Sequence, residues 1–194
     1  MGIQQKLNAA FSRLNAKRLG ITGSVPVGSV VSGSGLVVGR GFFASGPVWL
    51  EAVTEYEGQR FKPVIRLGEN VRTSPRLHIS GISRITIGDW CLFGENVFIT
   101  DHQHGSTTGH EQSGPTVPPA KRALAGAAPV EVGARCHLGN NVVVLPGSSI
   151  GEGVIVGANS VVAGHIPSNS IAVGAPARVV KVWDEAERAW RRVR

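Results

Sequence analysis

The chain has 194 residues, enough for one domain whose core needs neither a metal nor a disulfide staple. With 42% hydrophobic and 17% charged residues it is too apolar for a disordered chain, yet no apolar run nears the roughly 20 residues of a membrane span. The net charge of +7 comes without a long basic run or a basic strand interleaved with aromatics, so nucleic acid is not expected as a partner; an anionic surface or a small polyanion remains.

In chain order, Ile3, Leu7, Ala10, Phe11 and Leu14 have helical spacing and Gly20 stops the run, which predicts a helix over 1–20. The N-terminus has no continuous apolar segment of the secretory kind, so a cytoplasmic protein is expected. From residue 25 a different order takes over. Large residues recur every six positions at Val25, Val31, Val37, Phe43 and Trp49, then at Leu67, Thr73 and Ile79. A two-residue slip resets the phase at Ile87, Phe93 and Ile99, and after a break it runs through Val132, Leu138, Val144, Ile150, Val156 and Val162. The following position is most often glycine, as at Gly88, Gly94, Gly133, Gly139, Gly151 and Gly157.

A period of six is neither the 3.6 of a helix nor the 2 of a plain strand. It describes a short strand plus a tight turn, repeated. Three such units close a triangular coil, and stacked coils bury their aliphatics in one continuous interior. The expected fold is therefore all-β, a parallel β-helix over residues 21–182. Ile87, Ile99, Leu138, Ile150 and Val156 should face inward. Cys91 and Cys136 occupy the fifth place of their hexads and should be buried thiols, stacked on neighbouring coils if the register survives the break.

Two stretches interrupt the repeat. Residues 50–64 carry charge and the sole Tyr and suggest a hairpin-like excursion. Residues 105–129 are rich in Gly, Pro, Ser and Ala and read as a long loop without structure of its own, a kind of insertion usually tied to function. After residue 182, Asp184, Glu185 and Glu187 precede Arg188, Arg191, Arg192 and Arg194, the charge order that complements a helix dipole, so a C-terminal helix is expected over 183–194.

The chemistry should sit where the coil is broken. Asp101-His102-Gln103-His104 ends a coil and opens the insertion. A neutral imidazole there titrates in the right range to take a proton from a weak nucleophile.

Residues 85–105 (ITIGDWCLFGENVFITDHQHG) and 132–181 (VGARCHLGNNVVVLPGSSIGEGVIVGANSVVAGHIPSNSIAVGAPARVVK) resemble the hexapeptide-repeat acyltransferases. They are similar to the maltose and galactoside O-acetyltransferases, and more closely to the sugar O-acetyltransferases of surface-polysaccharide assembly, a likeness shared by GQRFKP (58–63) and DHQHG (101–105). The resemblance implies a left-handed parallel β-helix, acetyl-CoA as donor, no metal, and an acceptor that is a sugar, nucleotide sugar or oligosaccharide. It also implies a homotrimer whose sites lie between chains. In the resembling enzymes the base lies seven residues after a hexad valine, which from Val97 is His104, leaving His102 and Asp101 to position it or to contact substrate. The matching coenzyme A positions are Asn140, Ala158, Ala163, Gly164, Arg178 and Lys181. His137 stands where galactoside acetyltransferase has Trp, a place that touches substrate or thioester. Two other readings remain open. A γ-class carbonic anhydrase would gather zinc on three of His78, His102, His104, His110 and His137. An inert solenoid would only bind.

Overall fold

The structure, a computed structural model, describes residues 3–193, with side chains from Lys6 onward. A helix, α1 (Ile3–Arg18), precedes a chain that visits three parallel sheets in strict rotation, A, B, C and A again, so that each circuit is one coil. The inward residues form three vertical columns, each held in register by parallel pairing. In sheet B the column runs Val31, Leu50, Ile79, Ile99, Val144 and Val162. In sheet C it runs Val38, Leu67, Ile87, Val132, Ile150 and Ile166. In sheet A it runs Ala44, Thr73, Phe93, Leu138, Val156 and Ala172. Strands of two to four residues suffice because one inward residue per face fills the interior and the next residues must turn. The corner between sheets A and B is stitched by asparagines. Asn96, Asn141 and Asn159 all take a left-handed backbone, and their amides bond one coil to the next at 3.0 and 2.9 Å.

The five residues expected inward, Ile87, Ile99, Leu138, Ile150 and Val156, are at most 2% exposed. Cys91 and Cys136 are buried free thiols, donating to the carbonyls of Gly133 (3.2 Å) and Gly151 (3.0 Å) on the next coil. The early phase needs correction. Val37, Phe43 and Trp49 point outward, while Val38, Ala44 and Leu50 take the inward places. The turn at Ser32–Gly35 holds one residue more than a hexad, so Val31 is followed by Val38. Gly33 makes room for it: a Cβ there would lie 1.8 Å from the Ala52 carbonyl oxygen.

The C-terminal helix expected over 183–194 is absent. Ala177–Asp184 and Ala189–Arg192 form an antiparallel hairpin that extends sheet A beyond Ser170–Gly174. The last coil leaves an open edge whose backbone groups need partners, and the alternating ARVVKVW segment satisfies them. Trp183 and Trp190 then pack edge to face at 5.4 Å, and Asp184 Oδ1 accepts the Glu187 amide in the turn (3.0 Å). The excursion is a hairpin as expected, Glu55–Tyr56 against Gln59–Arg60. The insertion is more ordered than expected. Gln103–His104 pairs with Leu124–Ala125, and Pro119–Lys121 forms a 3-10 turn. Among the described residues no helix is long and apolar enough to cross a membrane.

Candidate active site

The break in the stack is anchored by a carboxylate. Asp101 follows the sheet B strand Phe98–Thr100 and is fully buried. Its Oδ1 accepts the Ile82 amide (2.9 Å) and its Oδ2 the Ser83 amide (2.8 Å), tying the break to the coil below. Its main-chain carbonyl accepts the Ala128 amide (2.9 Å), so the insertion leaves and returns at one residue. His102, 9% exposed, turns Nδ1 to Asp101 Oδ1 (3.0 Å) and Thr100 Oγ1 (3.2 Å), which leaves Nε2 as its free nitrogen.

Two residues on, His104 is exposed. Its backbone pairs with Leu124 and its ring meets the edge of Tyr56 at 5.1 Å; among the described residues its nitrogens have no hydrogen-bond partner. An imidazole held in place but not hydrogen-bonded is free to take a proton from whatever enters beside it. What enters would occupy a cleft of about 400 Å³ lined by His78, Ser80, Phe98, Thr100, His102, Gln103, His104, Leu145 and Pro146. Its floor is the outer face of sheet B, where Trp49 stacks on His78 (5.2 Å) and His78 meets the edge of Phe98 (5.0 Å). Burial lowers the His78 pKa, against a weaker opposing pull from Glu51, so that ring is neutral at physiological pH.

Tyr56 was not singled out by the sequence, and the structure makes it a neighbour of the candidate base. The two interruptions of the repeat meet here. Tyr56 donates from its hydroxyl to the Ala120 carbonyl (2.7 Å), and Gln59 brackets the Leu124 backbone, accepting its N–H at 2.7 Å and donating to its carbonyl at 3.3 Å. Lys121 pairs with Glu57 at 3.1 Å. The one available signal was the sole Tyr, set in a charged gap of an otherwise regular repeat.

The remaining candidates scatter. Ala163 and Gly164 follow the sheet B strand Val161–Val162, one coil beyond Leu145 and Pro146, and so adjoin the cleft. Asn140 and Ala158 stack on the opposite corner, between sheets A and B, where Asn140 Oδ1 accepts the Glu95 amide (2.9 Å). Arg178 and Lys181 lie on the C-terminal hairpin, Arg178 exposed. His137 is not brought to the cleft of its own chain: it faces out from sheet A between Leu92 and Ile155. Among the described residues of one chain no three His, Cys, Asp or Glu side chains converge as metal ligands. Cys91, a free thiol hydrogen-bonded to the Cys136 side chain and buried, is held well above the usual thiol range, hence protonated rather than a thiolate nucleophile.

Residues 129–164 match the family model for bacterial transferase hexapeptide repeats. The putative lipopolysaccharide biosynthesis O-acetyl transferase WbbJ of Escherichia coli strain K12 is 45% identical over 128 residues, which is 66% of this chain and 65% of WbbJ. The putative colanic acid biosynthesis acetyltransferase WcaF of the same strain is 30% identical over 136 residues, 63% of this chain and 71% of WcaF. In architecture the chain is similar to the N-acyltransferase AntD from Bacillus cereus, crystallised with dTDP-4-amino-4,6-dideoxyglucose and coenzyme A (TM-score 0.66, 17% identity, 91% of each chain). It is also similar to the hexapeptide-repeat acetyltransferase VCA0836 from Vibrio cholerae (TM-score 0.55, 22% identity, 78% of this chain and 75% of that one). A triangular stack of hexads interrupted by a histidine-bearing loop is the architecture of a left-handed β-helix. The chain belongs to the hexapeptide-repeat acyltransferase family.

Proposed function

We propose that this protein transfers an acetyl group from acetyl-CoA to a sugar hydroxyl in surface-polysaccharide assembly, in the cytoplasm, with His104 as general base. The observation that carries the reading is His104 itself, fixed in backbone yet without a hydrogen-bond partner, at the cleft where the stack is broken. His104 takes the hydroxyl proton as the sugar oxygen attacks the thioester carbonyl. Backbone N–H groups hold the tetrahedral oxyanion, the C–S bond breaks, and the imidazolium returns the proton to the leaving thiolate. Asp101 and His102 act by position, fixing the point at which the insertion departs. A second reading makes His102 the base, favoured by the carboxylate at its Nδ1.

The acceptor, a sugar, nucleotide sugar or oligosaccharide, lies over the aromatic floor of sheet B. The pantetheine arm runs past Ala163 and Gly164, whose small side chains let it approach the backbone, while Arg178 and Lys181 meet phosphates; Asn140 and Ala158 line the far corner. The working form is a homotrimer. The outer column of sheet B (Trp49, Phe98, Val143) is apolar apart from His78, that of sheet A sets Phe43, Leu92 and Ile155 among Arg72 and His137, and that of sheet C carries Arg66, Thr86 and Glu131. A second copy packed against these faces closes the open side of the cleft, and sheet A brings His137 to a neighbouring chain's site. The test is release of free CoA thiol from acetyl-CoA against a panel of sugars, nucleotide sugars and oligosaccharides. Acceptor-dependent release is expected, and none with any acceptor would leave a binding solenoid.

A further inference from the structure

The helix that caps the first coil is built inside out. Among its described side chains the buried ones are Asn15 and Ala16, with Asn15 donating from Nδ2 to the carbonyls of Val25 (3.1 Å) and Pro26 (3.0 Å). Its apolar residues face solvent instead. Leu7, Phe11 and Leu14 follow one another at spacings of four and three and are 47%, 57% and 63% exposed. Val27, 67% exposed, lies beside Phe11 and enlarges the patch. A helix of a globular domain normally turns such a stripe to the core. Here the core side is already sealed by small and polar groups.

Charge decides what covers the stripe. At 100° per residue, Lys6, Arg13 and Lys17 fall together along one margin of the stripe, and α1 contains no Asp or Glu. Among the described residues none of these three cations pairs with a carboxylate. A second copy presenting the same face would set like charges against like. A neutral apolar partner would bury the stripe and leave the cations uncompensated. We propose that α1 lies on an anionic lipid surface, its leucines and Phe11 entering the boundary between headgroup and acyl chain while Lys6, Arg13 and Lys17 meet headgroup phosphates. The helix rests on the membrane without crossing it, and the proposal stands on α1 alone. Its stripe is at the first coil, whereas the cleft opens three coils further along sheet B.

Cosedimentation of the full chain with vesicles tests this. Equal parts phosphatidylglycerol and phosphatidylethanolamine should bind it at least about tenfold better than phosphatidylcholine alone, and about 1 M salt, where the screening length shrinks to about 3 Å, should release it. Phe11→Glu with Leu14→Glu should reduce binding about tenfold or more, with the β-sheet circular dichroism unchanged. Should that pair unfold, Arg13→Gln with Lys17→Gln keeps the stripe and should lose the preference for anionic vesicles. No binding to anionic vesicles, or equal binding to both kinds, overturns the proposal. So does a drop in molar mass by light scattering in the Phe11/Leu14 variant with vesicle binding intact, which would give the stripe to a second copy. Acetyl transfer enters none of these readouts, so their failure leaves the role of His104 untouched.

Discussion

Asp101 commits both carboxylate oxygens and its carbonyl to structure: two amides of the coil below, one imidazole, and the Ala128 amide that closes the insertion. Asp101→Ala should therefore strand the Ile82 and Ser83 amides at a cost of about 1–3 kcal/mol each, read as a lower denaturation midpoint. Asp101→Asn keeps one acceptor and should lose less; an unchanged midpoint in the Ala variant would deny the anchor. His104 is the opposite case, exposed and, among the described residues, without a hydrogen-bond partner for its ring, so His104→Ala should cost stability no more than its contact with Tyr56, about 0.5–1.5 kcal/mol. Turnover should fall by about 10²–10⁴-fold with acetyl-CoA binding nearly unchanged, the usual share of a general base. Arg178→Ala should weaken the cofactor and spare the chemical step. Should His104→Ala turn over near normally at saturating substrates while His102→Ala is dead, the base is His102, and the Asp101 contact is what orients it.

The hairpin at 55–60 and the insertion are two gaps in one repeat, and each holds the other. Gln59 serves the Leu124 backbone as an adjacent strand would, and Tyr56 lays its ring against His104. Tyr56→Ala should lower turnover by up to about tenfold, because an edge-to-face ring contact is worth about 0.5–1.5 kcal/mol. Tyr56→Phe keeps the ring, loses only the bond to Ala120, and should stay close to the parent. Gln59→Ala should speed proteolytic nicking between residues 105 and 121. Equal digestion of parent and variant would mean that the insertion holds its shape unaided. The columns behave differently, since each inward side chain is enclosed by its own kind. Leu138→Ala should cost about 2–5 kcal/mol in chemical denaturation.

The stack as a whole presents a largely apolar face on sheet B, a mixed face on sheet A and a polar face on sheet C, and its cleft lies open along sheet B. Light scattering should give three times 20.4 kDa at micromolar concentration. Leu92→Glu on sheet A or Val143→Glu on sheet B should split the assembly and remove activity together, without unfolding the coils. A monomer with full activity would contradict the shared site. Both thiols, buried between coils, should resist alkylation in the native protein and react once it is unfolded, so rapid native labelling would show that the interior opens.

The six-residue period alone was enough for the coils. In a parallel stack the residue above and the residue below an inward side chain are its own repeats, so burial at Ile99 or Leu138 is written locally. The phase over 36–50 was not written that way. Doublets such as Val37-Val38 and Phe42-Phe43 satisfy two phases, and only pairing with Leu67 and Thr73 on the next coil selects one. The charge order after Asp184 suited a helix, but the unpaired edge of the last coil is a demand of the assembled stack, which a strand meets and a helix does not. The histidines were visible as a motif. Which one is anchored and which is free depends on amides from residues 82 and 83 and on a ring from residue 56. Those contacts join parts of the chain that no period relates, and they exist only once the coils have stacked.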